Sequence, residues 1–550
     1  MDPFTPTLFL TIGAVAIAIG RNRSYGFYGI TALVSIAGAI AVILLLGFRL
    51  PNTVVLSPWQ IASVFHNPLS LTVDKVSWLL GLVLVMATMS LFLTSGLVKL
   101  EMTSEERAIC LVVVALALLS IFSANLITLI LTLTISDIFS SVFVFVLNRK
   151  MNLSDASIRH LQIPEMGRLC TKLISIGLVL FVALDDPMVL HANSNALLIG
   201  HASILIIAVM IRLNIYPVNV GIISNNTVSR VVITTISLVN IFVVIDVFAS
   251  FDLHNYVIPL RNWLTVVGIL SGLVGGLRWC IAVNYSGRLY SLLLAQSGIT
   301  VLIFLWGGNW AVVGIVSHVM AIALSCVVIY IGENLIRSDD SNNFTKLLLT
   351  SIVFGCQPVT AGFLGLFVMY SGIMPNFLWT LFVIPSVTII NCLMIIGGLN
   401  ILRSTTVETE SKPSIRKTSG ILGVGIPLLI SVAIGLFPGR FASLMGLSVL
   451  PGWNSLLTAN ILITLGTSVI SLSLAILLWY YRSKIFSFEK YMSDTRLGYV
   501  TDLQWVYVII WKSYRSCARS IQAAGDIIEG QGGVLWPLVI VFAVLLVTGS

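Results

Sequence analysis

"RLNIYPVNVG", residues 212–221, interrupts an apolar passage that begins near Leu197 and resumes near Val231. An arginine at the centre of a membrane-spanning helix costs about 2.5–3.5 kcal/mol on insertion scales, so its presence is a functional hypothesis by default. Pro217, five residues on, removes a backbone donor and disfavours straight helix just before it. The stretch therefore predicts a broken helix, which would leave carbonyls and half-helix ends free to line a polar cavity at mid-membrane. A second reading is open at this stage: an arginine snorkelling from a span end beside a proline kink.

That this is a membrane chain follows from the whole sequence. It is 57% hydrophobic and 9% charged, with a mean hydropathy of +1.03, which excludes a soluble protein of this length. Apolar stretches of the length needed to cross about 30 Å of hydrocarbon recur from Leu8 to Leu546, roughly fifteen in all. None of the connections is long enough for a soluble domain, so nucleotide, flavin and iron–sulfur chemistry would belong to other chains, and no cofactor is expected in this one. The opening "MDPFTP" reads as the start of a retained helix, not a removable signal. Seven cysteines (110, 170, 280, 326, 356, 392 and 517) stand singly without metal-ligand spacing and read as small core residues.

The net charge of +8 is concentrated in residues 148–172, 411–417 and 481–519. The positive-inside rule sends these basic segments to the cytoplasm, in a bacterial inner membrane. Nucleic acid is a poor partner for this basicity without a soluble domain to carry it. Three divisions follow: a transmembrane bundle over 1–481, a charged amphipathic segment over 482–532 suited to an interface or a partner surface, and a last transmembrane helix over 533–550.

The ionisable positions within spans are Asp74, Asp137, Arg212, Asp246, Arg278, Arg288, His318 and Glu333. Asp137 follows Asn125, Thr128, Thr132, Thr134 and Ser136, so a hydroxyl-rich face leads to a carboxylate; a polar helix–helix seam has the same pattern. His318 lies deep in its span, where it is either a titrating group or a hydrogen-bonded packing group. Arg278, Arg288 and Glu333 lie close enough to span ends to snorkel.

Seven runs then stand in a familiar order: "VDKVSWLL" (73–80), "SANLITLILTLTISDIFSSV" (123–142), "RLNIYPVNVG", "RLYSLLLAQSG" (288–298), "SHVMAIALSC" (317–326), "GCQPVTAGFLGLF" (355–367) and "IGLFPG" (434–439). Over residues 70–440 the chain resembles the antiporter-like, proton-translocating membrane subunits of respiratory complex I (NADH:quinone oxidoreductase) and of multisubunit sodium/proton antiporters. In length it is most similar to the distal subunit, whose lateral helix would correspond to 502–530. The resemblance implies an all-α bundle of about 14 to 16 transmembrane helices with broken helices, and a row of charged residues at mid-membrane. Carried over residue by residue, the family's key glutamate falls on Thr134, with Asp137 one turn on as its substitute. The lysine of the first broken helix falls on Arg212, with Pro217 at the matching offset. The following aspartate and lysine fall on Asn284 and Ser286. His318 matches a histidine, while Ile322, Cys326 and Leu366 stand where titratable groups are expected.

Proton or cation movement through Asp137, Arg212, His318 and Thr134, with relay positions lost at Ser286, Cys326 and Leu366, is the first functional expectation. A non-conducting scaffold in the same kind of complex is the second, and an independent anion transporter using Arg212 the third. The first two imply other membrane subunits as partners. All three imply a lipid bilayer.

Overall fold

The computed structural model describes residues 2–20, 25–55, 68–95, 102–149, 155–185, 199–216, 230–250, 260–282, 285–335, 360–403, 414–446 and 459–481, with 515, 516, 519, 520 and 522. The chain divides into two compact units, Met1–Ser487 and Phe488–Ser550. In the second, the Ser520 hydroxyl donates to the Ser516 carbonyl, one helical turn back, at 3.0 Å; the amphipathic segment expected at 482–532 and the span expected at 533–550 otherwise lie outside the described residues.

Within the first unit the helices are α1 (Thr5–Ile19), α2 (Tyr25–Leu46), α3 (Lys75–Ser95), α4 (Ser104–Ile121), α5 (Leu126–Arg149), α6 (Asp155–Asp185), α7 (Ile199–Arg212), α8 (Arg230–Ser250), α9 (Arg261–Ile281), α10 (Tyr285–Trp306), α11 (Ala311–Leu335), α12 (Ala361–Ile373), α13 (Phe377–Arg403), α14 (Ser414–Leu436), α15 (Pro438–Leu444) and α16 (Ala459–Tyr480). Among the described residues nine helices are long and apolar enough to cross a membrane, and four shorter ones are apolar as well. This is the all-α polytopic bundle that the sequence implies. Burial orders it: the apolar stretch of α10 is 94% buried and that of α16 only 33%, which puts α8, α10 and α11 at the centre and α2 and α16 at the rim. Rim side chains such as Ile12, Ile30, Phe377, Leu381 and Ile470 are exposed, as expected where hydrocarbon replaces water.

Among the described residues one break interrupts the helices, and one helix ends at the opening motif. At "IGLFPG", α14 and α15 meet at 98°, with Pro438 at the first position of the new helix, where its missing N–H costs nothing. Near the opening motif, α7 stops at Arg212 and Asn214 turns the chain with a φ of +53°; Asn is one of the few non-glycine residues that takes this conformation readily. Helix α7 thus ends at Arg212, and the residues after Tyr216 that would form a second half lie outside the described residues. Pro217 itself lies outside the described residues.

Three features differ from the sequence reading. A two-stranded antiparallel ribbon, β1 (Asn52–Val55) with β2 (Ser70–Val73), lies between α2 and α3, where an all-α bundle implies no strand. It fits because Val54, Val55, Leu71 and Val73 supply strand-forming side chains and the Thr53 and Thr72 hydroxyls meet across it at 2.9 Å. The first basic segment is helical over most of its length, α6 running through it from Asp155 with Pro164 and Gly167 inside. Cys170 is exposed, whereas Cys110, Cys280, Cys326 and Cys392 are the buried residues expected; Cys356 and Cys517 lie outside the described residues.

Helix α9 lies so close to α10 that side chains are excluded between them. A methyl group added at Gly298 would come within 2.5 Å of the Gly268 carbonyl and 2.6 Å of the Gly272 nitrogen. Backbone atoms cannot step aside as a flexible side chain can, so the helices themselves would have to separate. Gly298→Ala is accordingly expected to destabilise the chain by about 1–3 kcal/mol, seen as a lower thermal unfolding midpoint in detergent. Gly466→Ala in α16, where a methyl group would meet nothing within 4 Å, should leave the midpoint unchanged or slightly raised.

Candidate functional site: a buried ion cluster on three helices

The site begins at the start of α5. Asn125 caps this helix: its Oδ1 accepts from the Thr128 backbone N–H and hydroxyl, both at 2.8 Å, while its Nδ2 donates to the Pro68 carbonyl at 2.7 Å and to Ser70 Oγ at 3.0 Å. The edge of β2 adds Thr72 N–H to Phe122 O at 2.7 Å and accepts Ala124 N–H on Ser70 O at 3.0 Å. These bonds fasten the α4–α5 turn to the ribbon. With about 1.5 Å of rise per residue, Asp137 then lies roughly 17 Å along α5, deep within the hydrocarbon.

There Asp137 meets two cations. Arg212, the last residue of α7, donates from Nη2 to Asp137 Oδ2 at 2.7 Å. Lys172 of α6 reaches Oδ1 with Nζ at 3.0 Å. Asp137 and Arg212 are buried, and the Lys172 side chain retains 13% exposure. One carboxylate between two cations leaves the cluster with one net positive charge. Among the described residues, Arg212 Nε and Nη1 meet no hydrogen-bond partner, so one of the guanidinium's five donors is seen on the carboxylate. Beside it, α5, α6, α7 and α8 leave a cavity of about 20 Å³ whose wall includes Arg212 and Ser175 with Leu129, Val209 and Val243. Beyond Arg212 the turn is held to α9, Tyr216 N–H donating to Ser271 Oγ at 3.1 Å.

The other sequence candidates divide. Thr134 is half-buried and its hydroxyl donates to its own helix, to the Ile130 carbonyl at 2.6 Å. The upper hydroxyl face, Asn125 and Thr128, is a polar seam with the ribbon. His318 is fully buried on α11 and joins neither Asp137 nor Arg212; neither ring nitrogen completes a hydrogen bond of ordinary geometry, although the Gln296 backbone on α10 faces the ring. Helix α11 packs on α8, which packs on α7. Cys326, Ile322 and Leu366 are buried core residues. Asn284 and the Ser286 side chain lie outside the described residues, as does the side chain of Glu333. Asp74 caps α3, its Oδ1 accepting from Ser77 N–H at 2.7 Å and the Ser77 hydroxyl at 2.6 Å, which is a structural task. Arg288 donates from Nε to the Ala282 carbonyl at 2.8 Å, and Asp246 is buried near the end of α8.

Lys172 was hidden by its place in a basic run. The signal was present: Ser175, Ile176, Val179, Val182 and Ala183 form the buried face of α6, and one helical step back along that face is residue 172.

The fold and this cluster define a polytopic helical membrane protein with a charged site at mid-membrane. Among solved structures, a chain of the Mrp complex from Dietzia sp. DQ12-45-1b superposes with a TM-score of 0.74 over 99% of this chain, at 14% identity. This chain spans 63% of that chain's length. Chains of respiratory complex I from Thermus thermophilus also match: one with bound NADH, TM-score 0.60, 13% identity, 85% of this chain and 99% of that one, and one with bound aureothin, TM-score 0.56, 16% identity, 79% and 97%. At such identities the likeness is one of fold. No family model and no curated protein matches the sequence.

The charge count ranks the three cluster residues for stability. Asp137→Ala leaves two buried cations uncompensated and should cost about 3–5 kcal/mol. Arg212→Met leaves a lysine–carboxylate pair and should cost less. Lys172→Met leaves a neutral pair and loses the most exposed member, so it should cost least. Thermal unfolding of the three variants checks this order; a Lys172→Met loss equal to that of Asp137→Ala would contradict it.

Proposed function

We propose that this chain is a membrane subunit of an ion-translocating assembly of the antiporter or complex-I kind, moving protons or monovalent cations along a modified route that passes through Asp137 and Arg212. The observation that carries the reading is the buried Arg212–Asp137 ion pair at a helix end, within a fold shared with chains of the Mrp complex and respiratory complex I. A mid-membrane ion pair costs desolvation and marks pathways in membrane proteins. Arg212 serves as a fixed charge, since arginine does not release its proton. Thr134, His318 and a break at Pro217 belong to the same proposed route, with Ser286, Cys326 and Leu366 as positions where the relay chemistry is lost.

On this reading the partners are other membrane subunits, any redox chemistry resides on those subunits, and the basic segments face the cytoplasm of a bacterial inner membrane. Residues 1–481 are the conducting bundle, 482–532 the charged segment along the interface or a partner, and 533–550 a final transmembrane helix.

The scaffold reading has its own support, because Ile322, Cys326 and Leu366 fill the core where a continuous relay needs titratable groups. An anion transporter is less well supported, since Arg212 already holds an internal carboxylate. Proton flux in sealed vesicles containing the purified assembly decides between conduction and scaffold. Asp137→Asn and Arg212→Ala are each expected to lower flux at least tenfold with the same partner chains bound. Native flux in both variants would make the chain a scaffold.

A further inference from the structure

We infer that Lys172 is the proton-exchanging group of the cluster, loaded from the aqueous side on which α5 and α6 are connected, with Asp137 as its docking carboxylate. The inference rests on the conducting reading above and names a residue that neither composition nor resemblance pointed to.

Chemistry selects Lys172 among the three. The Asp137 carboxylate at 2.7 and 3.0 Å from two cations is the acceptor of both. The Arg212 guanidinium keeps its protons. An ammonium on a flexible four-carbon stem can lose a proton, swing and be reloaded. Among the described residues, the charged groups that face Nζ are Asp137 on α5 and, across that carboxylate, Arg212 on α7. Release breaks one Nζ–H bond, the electron pair stays on nitrogen, and the proton passes to water. The cluster then goes from one net positive charge to none while the Arg212–Asp137 pair stays whole. Reloading forms the same bond again, so the cycle is balanced without another reactant.

Position selects the side. By sequence α5 stays apolar to Leu147, before Asn148 and Arg149, and α6 turns apolar after Arg168. Lys172 is four residues past Arg168, about 6 Å, and Asp137 is ten residues before Leu147, about 15 Å. Both ends face the connection between these helices. The opposite boundary is then more than about 20 Å from the Lys172 backbone across a hydrocarbon core of about 30 Å. Lys172 is also the most exposed member of the cluster, its side chain 13% accessible against 5% for Arg212 and 2% for Asp137. At this depth its long stem can carry the ammonium to the aqueous boundary, so it is the member of the cluster able to trade a proton with water.

The experiment compares Lys172→Arg with the native chain in the whole assembly, reconstituted in sealed vesicles and read by an internal pH-sensitive dye. Arginine keeps the charge and can keep the ion pair, so a residue needed only for structure would tolerate it. The expected result is a loss of flux of at least tenfold with the partner chains bound. Native flux in Lys172→Arg overturns the inference. If that variant does not assemble, Lys172→Gln, which leaves the neutral Arg212–Asp137 pair, is read by the same two criteria. Cys170→Ser, at an exposed site two residues away, should conduct as the native chain does. Asp137→Asn separates the two levels: if it too conducts normally, the conducting reading itself has failed, whereas loss in Asp137→Asn with native flux in Lys172→Arg removes only the role given to Lys172.

Discussion

Moving an ionised carboxylate from water into an apolar interior costs several kcal/mol even after the surroundings relax, so the helices around Asp137 are constrained to keep its cations at 2.7 and 3.0 Å. That constraint reaches three elements at once. Helix α7 must end where Arg212 points inward, α6 must turn its Lys172 face towards α5, and α5 must hold its depth. The ribbon makes the last condition possible, because the Asn125, Ser70 and Thr72 bonds set the height at which α5 enters the bundle. A slip of one residue along α5 would rotate Asp137 by about 100° and carry it away from both partners.

Much of this architecture could be read directly from the sequence. Long apolar runs specify spans, because a backbone in hydrocarbon has to satisfy its own hydrogen bonds and helices do so internally. The order of weak motifs around Arg212, Pro438 and the Asn125–Asp137 face was enough to imply the fold. What local pattern could not supply was pairing. β1 and β2 are four residues each and lie on either side of a long polar connection, and their partnership is a tertiary fact. Lys172 was missed for a related reason: a run of basic residues suggests a solvated surface, while a long helix can carry one of them onto its buried face. Thr134 holds the position that the resemblance implies, its hydroxyl closing on its own helix beside a buried face of Thr132, Ser136 and Asp137.

The cluster also bears on whether the polar interior is a remnant. Buried ion pairs are often no more stabilising than well-packed apolar residues of the same volume, and replacing them can strengthen a protein. This chain shows that its core accepts such residues: Ile322, Cys326 and Leu366 are packed without exposure at positions where a relay would need charge. A scaffold would gain by treating Asp137, Lys172 and Arg212 in the same way. Instead all three remain, with one net positive charge among them. Packing does not account for an arrangement that packing alone would remove. On the proposed reading a fixed cation beside an exchangeable one does, and the modified route would then lie on the Asp137 side of the bundle.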